Sequence, residues 1–112
     1  MLVATPAASK AAVTDTAGNG FSIQQTVVIA ATPPQVYAAL THPAAWWASA
    51  HTFSGDAANM TMDARPGGCW CEKLGENGGV QHMTVTFAAP GAVLILRGSL
   101  GPFYDAPVDA VL

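Results

Sequence analysis

Residues 66–82, with the sequence PGGCWCEKLGENGGVQH, contain both cysteines of the chain and one of its three histidines. One residue separates Cys69 from Cys71, and His82 follows a glycine-rich segment. Thiolate and imidazole are ligand types that zinc and copper prefer. A closed structural zinc site uses four ligands, and the two remaining histidines have no spacing that would bring them close. The stretch is therefore either an incomplete metal or thiol site or a pair of ordinary strands.

Strand geometry would divide this stretch into two faces. If residues 75–78 form the turn of a hairpin, Trp70 lies opposite Met83 and Cys71 lies opposite His82. Because side chains alternate across a strand, the first face carries Cys69, Cys71, His82 and Thr84. The second face carries Trp70, Glu72, Met83, Val85 and Phe87. We predict that the second face is buried, because it is apolar apart from one carboxylate.

The cysteine face has two interpretations. Its thiols and imidazole would form an open metal site, or both cysteines are small, weakly polar strand residues. A disulfide between Cys69 and Cys71 is disfavoured, since strand residues two apart are separated by about 6.6 Å with parallel side chains. We favour the interpretation as strand residues, and we expect no metal and no other cofactor.

Glu72 is the ionisable residue predicted to lie on the buried face. Partial desolvation would raise the pKa of its carboxyl group, which would then act as a general acid or base or orient a ligand hydroxyl. The alternative is structural, because Glu72 near the end of a strand reaches solvent or pairs with Arg65 or Lys73. Both interpretations stay open at this point.

The segments before the hairpin predict one strand and two short helices. Residues 21–29 alternate between apolar and polar types, as a half-buried strand does. Thr32 is a good N-cap for a helix over residues 31–40, since two prolines follow it and apolar residues recur at helical spacing. After His42-Pro43, residues 44–48 predict one further turn that carries adjacent tryptophans.

Strand patterns return after residue 59 and are separated by short turns containing glycine or proline. The predicted strands cover residues 60–63, 69–74, 80–87 and 93–97. Short connections between successive strands make an antiparallel meander. The predicted fold class is α+β, with one strand, two short helices and then at least four strands.

Composition limits the possible partners. The chain has 112 residues, 51% of them hydrophobic and 10% charged, and its net charge is −3. Its four basic residues are scattered, so we expect no nucleic-acid partner. The longest apolar run has the length of a strand, and we expect no membrane insertion and a soluble chain.

The first twenty residues are rich in alanine and threonine and lack the pattern of a secretory signal. We interpret residues 1–20 as a flexible leader, residues 21–102 as the domain and residues 103–112 as an irregular tail. The protein is then cytoplasmic, or periplasmic if the leader is the remnant of an export signal.

Specific stretches resemble the START/birch-pollen-allergen-like superfamily, also called SRPBCC or helix-grip proteins. The resemblance runs through VIAATPPQVYAAL (28–40), PAAWW (43–47), HTFSGDAANM (51–60), PGGCWCE (66–72), GGVQH (78–82) and PGAVLIL (90–96). Within the superfamily, the chain is similar to the polyketide-cyclase-like and heat-shock-ATPase-activator-like branches. The resemblance covers residues 21–102 and is more specific for fold than for activity.

The resemblance implies a curved antiparallel sheet that grips a long C-terminal helix, with an apolar cavity between them. It also implies a hydrophobic ligand, such as a lipid or polyketide, with the tryptophan segment at the cavity mouth. The expected ligand-binding residues are Trp46, Trp47, Phe53, Met60, Met62, Trp70, Glu72, Met83 and Val85.

The gripping helix has no counterpart in the sequence, because only ten residues containing Pro107 follow residue 102. We expect a truncated domain whose uncovered sheet face favours self-association. Coverage of that face by the leader or the tail is the alternative.

The favoured function is binding of a hydrophobic small molecule, without a clear catalytic constellation. One alternative is a cyclase- or hydrolase-like enzyme that uses Glu72, with His51 or His82, as acid/base groups. Another alternative is an interaction module that activates a chaperone ATPase, although the weakly charged surface offers little for docking.

Overall fold

The computed structural model describes residues 10–99, 103–106 and 109–112, and it is an α+β structure with mostly antiparallel strands. Its regular elements are β1 (Lys10–Ala17), β2 (Gly20–Thr26), α1 (Pro33–Leu40), β3 (Met60–Met62), β4 (Cys69–Leu74), β5 (Gly78–Ala89), β6 (Val93–Gly98) and β7 (Ala110–Val111). The chain divides into two compact units, Met1–Ala31 and Thr32–Leu112, which are described separately.

The first unit contains the hairpin of β1 and β2. Val13 lies opposite Ile23, and the register shifts after Val13. Strand β1 occupies a segment that the sequence analysis assigned to a flexible leader. Valine and threonine favour extended backbone, and ladder hydrogen bonds with β2 require no large side chains, so an Ala/Thr-rich segment pairs readily. Every residue of both strands is exposed, so the strand predicted over residues 21–29 is present as Gly20–Thr26 but its predicted half-burial was wrong.

The second unit begins with the predicted helix. The Thr32 hydroxyl accepts a hydrogen bond from the Gln35 backbone N–H, and the Gln35 side chain accepts one from the Thr32 N–H, which forms a capping box. The helix ends at Leu40, two residues before the predicted break at His42-Pro43. Three 3-10 turns follow, at Pro43–Ala45, Ser49–His51 and Ala57–Asn59.

The remaining strands form the predicted antiparallel meander, in the order β3-β4-β5-β6-β7. Strand β7 lies inside the tail that was expected to be irregular. Its pairing continues into Leu112, which exchanges two backbone hydrogen bonds of 2.9 Å with Leu96. Among the residues that the structure describes, no α-helix follows α1.

The pairing of β4 with β5 confirms part of the predicted register and corrects the rest. Trp70 lies opposite Met83 as expected, but Cys71 lies opposite Gln81 because His82 is an extra residue in β5. Such a β-bulge changes the face to which the following side chains point. His82 is therefore buried with Trp70, and its predicted place beside the cysteines was wrong.

A second bulge at Thr86 corrects the position of Phe87. Val85 lies opposite Leu96 and is buried, whereas Phe87 lies opposite Ile95 and is 51% exposed. Phe87 was predicted on the buried face, and the extra residue moves it to the outer face.

Gly98 allows β6 to approach β5 closely beside the first bulge. A Cβ atom at this position would lie 2.3 Å from the His82 carbonyl oxygen and 2.9 Å from the Met83 Cα. Because backbone atoms cannot move aside as a flexible side chain does, a larger residue at position 98 would separate the strands or remove the bulge.

Cys69 and Cys71 form a disulfide, so the prediction that they are unbonded strand residues was wrong. Their Cα atoms are 5.4 Å apart, which is shorter than the spacing expected for a flat strand. A bulge increases the local twist of paired strands, and strongly twisted strands rise less per residue. The bulge at His82 in β5 lies opposite the Trp70–Cys71 step, where added twist would bring the two cysteines within disulfide distance.

The core of the second unit lies on one face of the sheet. Its buried residues are Met60, Trp70, Met83, Val85 and Leu96, and Trp47, Met62, Ala88 and Leu94 pack against them. The same face carries the cavity described next.

Candidate functional site

A cavity of about 760 Å³ lies against the buried face of the sheet. The sheet and the segment from the end of α1 to Phe53 line it. The lining residues are Leu40, Trp46, Trp47, Ala50, His51, Thr52, Phe53, Met60, Met62, Trp70, His82, Met83, Leu94, Leu96 and Leu112. Most of these side chains are apolar, and the volume lies within the range of small-molecule sites.

Three tryptophans form one wall of the cavity. The ring centroid of Trp47 lies 5.0 Å from that of Trp70 in an edge-to-face arrangement and 5.5 Å from that of Trp46. The Trp46 and Trp47 indole N–H groups donate hydrogen bonds to the carbonyl oxygens of Ala39 and His51, at 3.1 and 2.9 Å. Because both polar atoms are bonded, these two rings present their carbon surfaces to the cavity.

Beside Trp70, the sheet also lines the cavity with methionine and leucine side chains from β3, β5 and β6. Met60 and Met83 are buried, and Met62, Leu94 and Leu96 extend the same surface. Unbranched methionine side chains adjust to ligands of different shape. This part of the lining is therefore adaptable, whereas hydrogen bonds hold Trp46 and Trp47 in place.

Glu72 and His82 form a buried polar pair beside the cavity. The His82 Nε2 lies 3.0 Å from the Glu72 Oε2. The Ser54 backbone N–H donates to the other carboxylate oxygen, Oε1, at 2.5 Å. Glu72 is 1% exposed and does not line the cavity, whereas His82 is 9% exposed and does. Glu72 thus lies behind the ring and holds it.

The pKa of Glu72 lies below its ordinary value, contrary to the prediction that it would be raised. Burial raises the pKa of this carboxyl group, as expected. Hydrogen bonds from Ser54, from the backbone of Phe53 and from His82 favour the ionised form and outweigh burial. Glu72 does not pair with Arg65, which bonds instead to Asp63 at 2.7 Å. The sequence did not indicate the donors, because Ser54 is 18 residues away along the chain.

Seven of the nine residues expected to bind ligand line the cavity: Trp46, Trp47, Phe53, Met60, Met62, Trp70 and Met83. Val85 is fully buried in the core beneath, and Glu72 lies behind His82. The lining residues that were not in the predicted set are Leu40, Ala50, His51, Thr52, His82, Leu94, Leu96 and Leu112. The apolar alternation of β6 was a signal for Leu94 and Leu96, but no sequence signal indicated the bulge that turns His82 inward.

The predicted metal ligands Cys69, Cys71 and His82 do not lie together on one face of the sheet. Cys69 and Cys71 are bonded to each other, and His82 points to the opposite face of the sheet. Within the described residues, no group of three or more His, Cys, Asp or Glu side chains is arranged to hold a metal ion.

Comparison of the chain with protein-family models, with curated proteins and with solved structures found no match. In the described part of the chain, no helix has the length and apolar character needed to cross a membrane.

Proposed function

We propose that the protein binds an apolar small molecule, such as a lipid or polyketide, in the cavity beside the sheet. The observation that carries this proposal is the lining, which combines three tryptophans with methionine and leucine side chains around about 760 Å³. Each 100 Å² of apolar ligand surface removed from water would contribute roughly 2.5 kcal/mol. An apolar ligand is therefore favoured over a charged one, for which the lining offers few partners.

We also propose a relationship to the helix-grip proteins. Two features support it: the order of a helix followed by an antiparallel meander, and an apolar cavity on one face of that sheet. The fold alone would not assign an activity, so the ligand proposal depends on the lining residues.

An enzyme is the second candidate, and the Glu72–His82 pair favours it. A histidine held by a buried carboxylate is a common arrangement for general acid/base groups. Of the predicted acid/base groups, His82 would contact the substrate because it lines the cavity, and Glu72 would position it. Turnover that is lost in Glu72→Gln would support the enzyme, and binding without turnover would support the carrier function.

Titration with N-phenyl-1-naphthylamine, a neutral apolar fluorophore, tests ligand binding. We expect saturable binding of one molecule per chain. Leu94→Gln places an amide in the cavity wall and should weaken binding about tenfold, since an unpartnered polar group costs roughly 1–3 kcal/mol. Circular dichroism would verify that the variant is folded.

Val93→Gln is the matched control, because Val93 neighbours Leu94 on β6 but does not line the cavity. Its affinity for the fluorophore should equal that of the wild type. Equal weakening by both substitutions, or no saturable binding by the wild type, would contradict the proposal.

A further inference from the structure

His82 supplies the buried polar side chain of the cavity lining. The other side chains with polar groups are placed differently: His51 is exposed at the rim, and the Thr52 hydroxyl donates to the Ser49 carbonyl at 2.7 Å. The Trp46 and Trp47 N–H groups are bonded to backbone, and the Trp70 Nε1 has no partner but is fully buried and not accessible to a ligand. A ligand that reaches the inner part of the cavity therefore meets His82 as its polar partner.

The hydrogen bonds of Glu72 define which nitrogen of His82 carries a proton. An ionised carboxylate only accepts hydrogen bonds, so the His82 Nε2, at 3.0 Å from Oε2, must donate its N–H. In the neutral ring the other nitrogen, Nδ1, then has a free lone pair and is an acceptor.

The His82 Nδ1 has no hydrogen-bond partner among the described residues. In the described part of the chain, the fully buried side-chain atoms without a partner are the Tyr37 hydroxyl oxygen and the Trp70 Nε1. The His82 Nδ1 is not one of them. The free lone pair of Nδ1 therefore belongs to a side chain that lines the cavity.

The surroundings of the ring are aromatic. The Phe53 ring centroid lies 5.9 Å from that of His82, with an interplanar angle of 31°, and the Trp70 centroid lies 6.2 Å away. A planar aromatic group beside His82 would contact ring faces and edges in the geometry that aromatic pairs prefer.

We propose that the ligand is a hydroxylated aromatic molecule whose phenolic or enolic O–H donates a hydrogen bond to the His82 Nδ1. This inference rests on the proposed binding function and specifies its ligand class. Glu72 is a positioning residue in this scheme, since it acts on the ligand only through the tautomer of His82. The hydroxyl is the determinant of specificity, and the aromatic rings supply most of the buried surface.

The test compares three probes of similar size: 2-naphthol, 2-methoxynaphthalene and naphthalene. We expect the wild type to bind 2-naphthol about tenfold more tightly than the other two, because only 2-naphthol has a hydrogen to donate. His82→Phe should keep the affinity for naphthalene and lose the preference for 2-naphthol. A preference that persists unchanged in His82→Phe would overturn the proposal.

Glu72→Gln provides a second, sharper variant. The Ser54 N–H needs an acceptor, so the oxygen of the introduced amide should face Ser54 and its NH₂ group should face His82. The His82 Nε2 then accepts, and the proton moves to Nδ1. 2-Methoxynaphthalene should then bind about as tightly as 2-naphthol and more tightly than naphthalene, because both oxygens can accept a hydrogen bond from the Nδ1 N–H. A merely structural role of Glu72 would not produce this gain.

Glu76→Gln, in the exposed turn between β4 and β5, is the matched control and should bind like the wild type. Equal wild-type affinity for all three probes would overturn the hydroxyl inference while leaving apolar binding intact. Tighter wild-type binding of 2-methoxynaphthalene would also overturn it. Failure of all three probes to bind would overturn both this inference and the proposed function.

Discussion

Glu72 combines almost complete burial with a carboxylate that stays ionised. Desolvation alone would neutralise such a group, and the hydrogen bonds from Ser54, Phe53 and His82 prevent this. The network links the loop before β3 to the bulge in β5. Glu72 thus positions the His82 side chain and also links the loop before β3 to strand β5.

The lowered pKa of Glu72 predicts that acid destabilises the fold. Its carboxyl group has an ordinary pKa of 4.5 and a lower one in the folded protein, so the unfolded chain takes up the proton first as the pH falls. The stabilisation is complete above pH 4.5 and is lost as the pH falls towards the folded pKa. Urea unfolding between pH 7 and pH 3 measures this loss.

Glu72→Gln should flatten the acid dependence and lower the free energy of unfolding at pH 7 by about 1–3 kcal/mol. Asp63→Asn is the control, because Asp63 also has a lowered pKa of about 2 but is exposed, so its ion pair with Arg65 is screened by solvent. An unchanged acid dependence in Glu72→Gln would show that other groups cause it.

At the level of secondary-structure elements, β5 decides the character of the site. It has bulges at His82 and Thr86, and each one changes the face presented by the next residues. The first bulge brings an imidazole into the cavity, and the second removes Phe87 from it. The chemistry of the cavity therefore depends on strand register more than on composition.

The disulfide of β4 should contribute modestly to stability. It closes a ring of only three residues, for which loop entropy predicts about 1.5 kcal/mol. The variant Cys69→Ser/Cys71→Ser should therefore unfold at slightly lower urea concentration and keep its affinity for the fluorophore, because both residues lie on the face away from the cavity. Thiol titration of the native wild-type protein with Ellman's reagent should find no free thiol before a reductant is added. Two reactive thiols in the native protein would contradict the disulfide.

At the scale of the whole molecule, the outer face of the sheet presents apolar side chains to solvent. Phe87 and Val93 are exposed there, and Ile95 lies opposite Phe87. Exposed apolar surface of this kind favours association between copies of a chain. Self-association through an uncovered sheet face stays a prediction, and the outer face is where we now expect it.

Light scattering coupled to size-exclusion chromatography tests this expectation. The wild type should show a mass that rises with concentration, and Phe87→Lys should shift the distribution towards the monomer, because a charge at the contact opposes burial. Glu76→Lys, at an exposed turn, changes the net charge more than Phe87→Lys does and serves as the control. A monomeric wild type at all concentrations would contradict the prediction.

The sequence by itself determined most elements between Thr32 and Gly98 and part of the cavity wall. Capping at Thr32, alternation in the strands and glycine-containing turns are local signals, and they correctly predicted α1, the meander and the pairing of Trp70 with Met83. These local signals arise from interactions between residues close together in the chain. The seven predicted side chains that line the cavity came from strand alternation together with the resemblance to helix-grip proteins.

Only the tertiary structure decided the polar chemistry of the site. A bulge arises when two paired strands contribute unequal numbers of residues, and no alternation within one strand reveals it. The inward position of His82, its contact with Glu72 and the disulfide of Cys69 with Cys71 all accompany that bulge. The ionisation of Glu72 likewise depends on hydrogen-bond donors that only folding brings to it. The sequence does not indicate which backbone N–H groups of a distant loop will donate to this carboxylate.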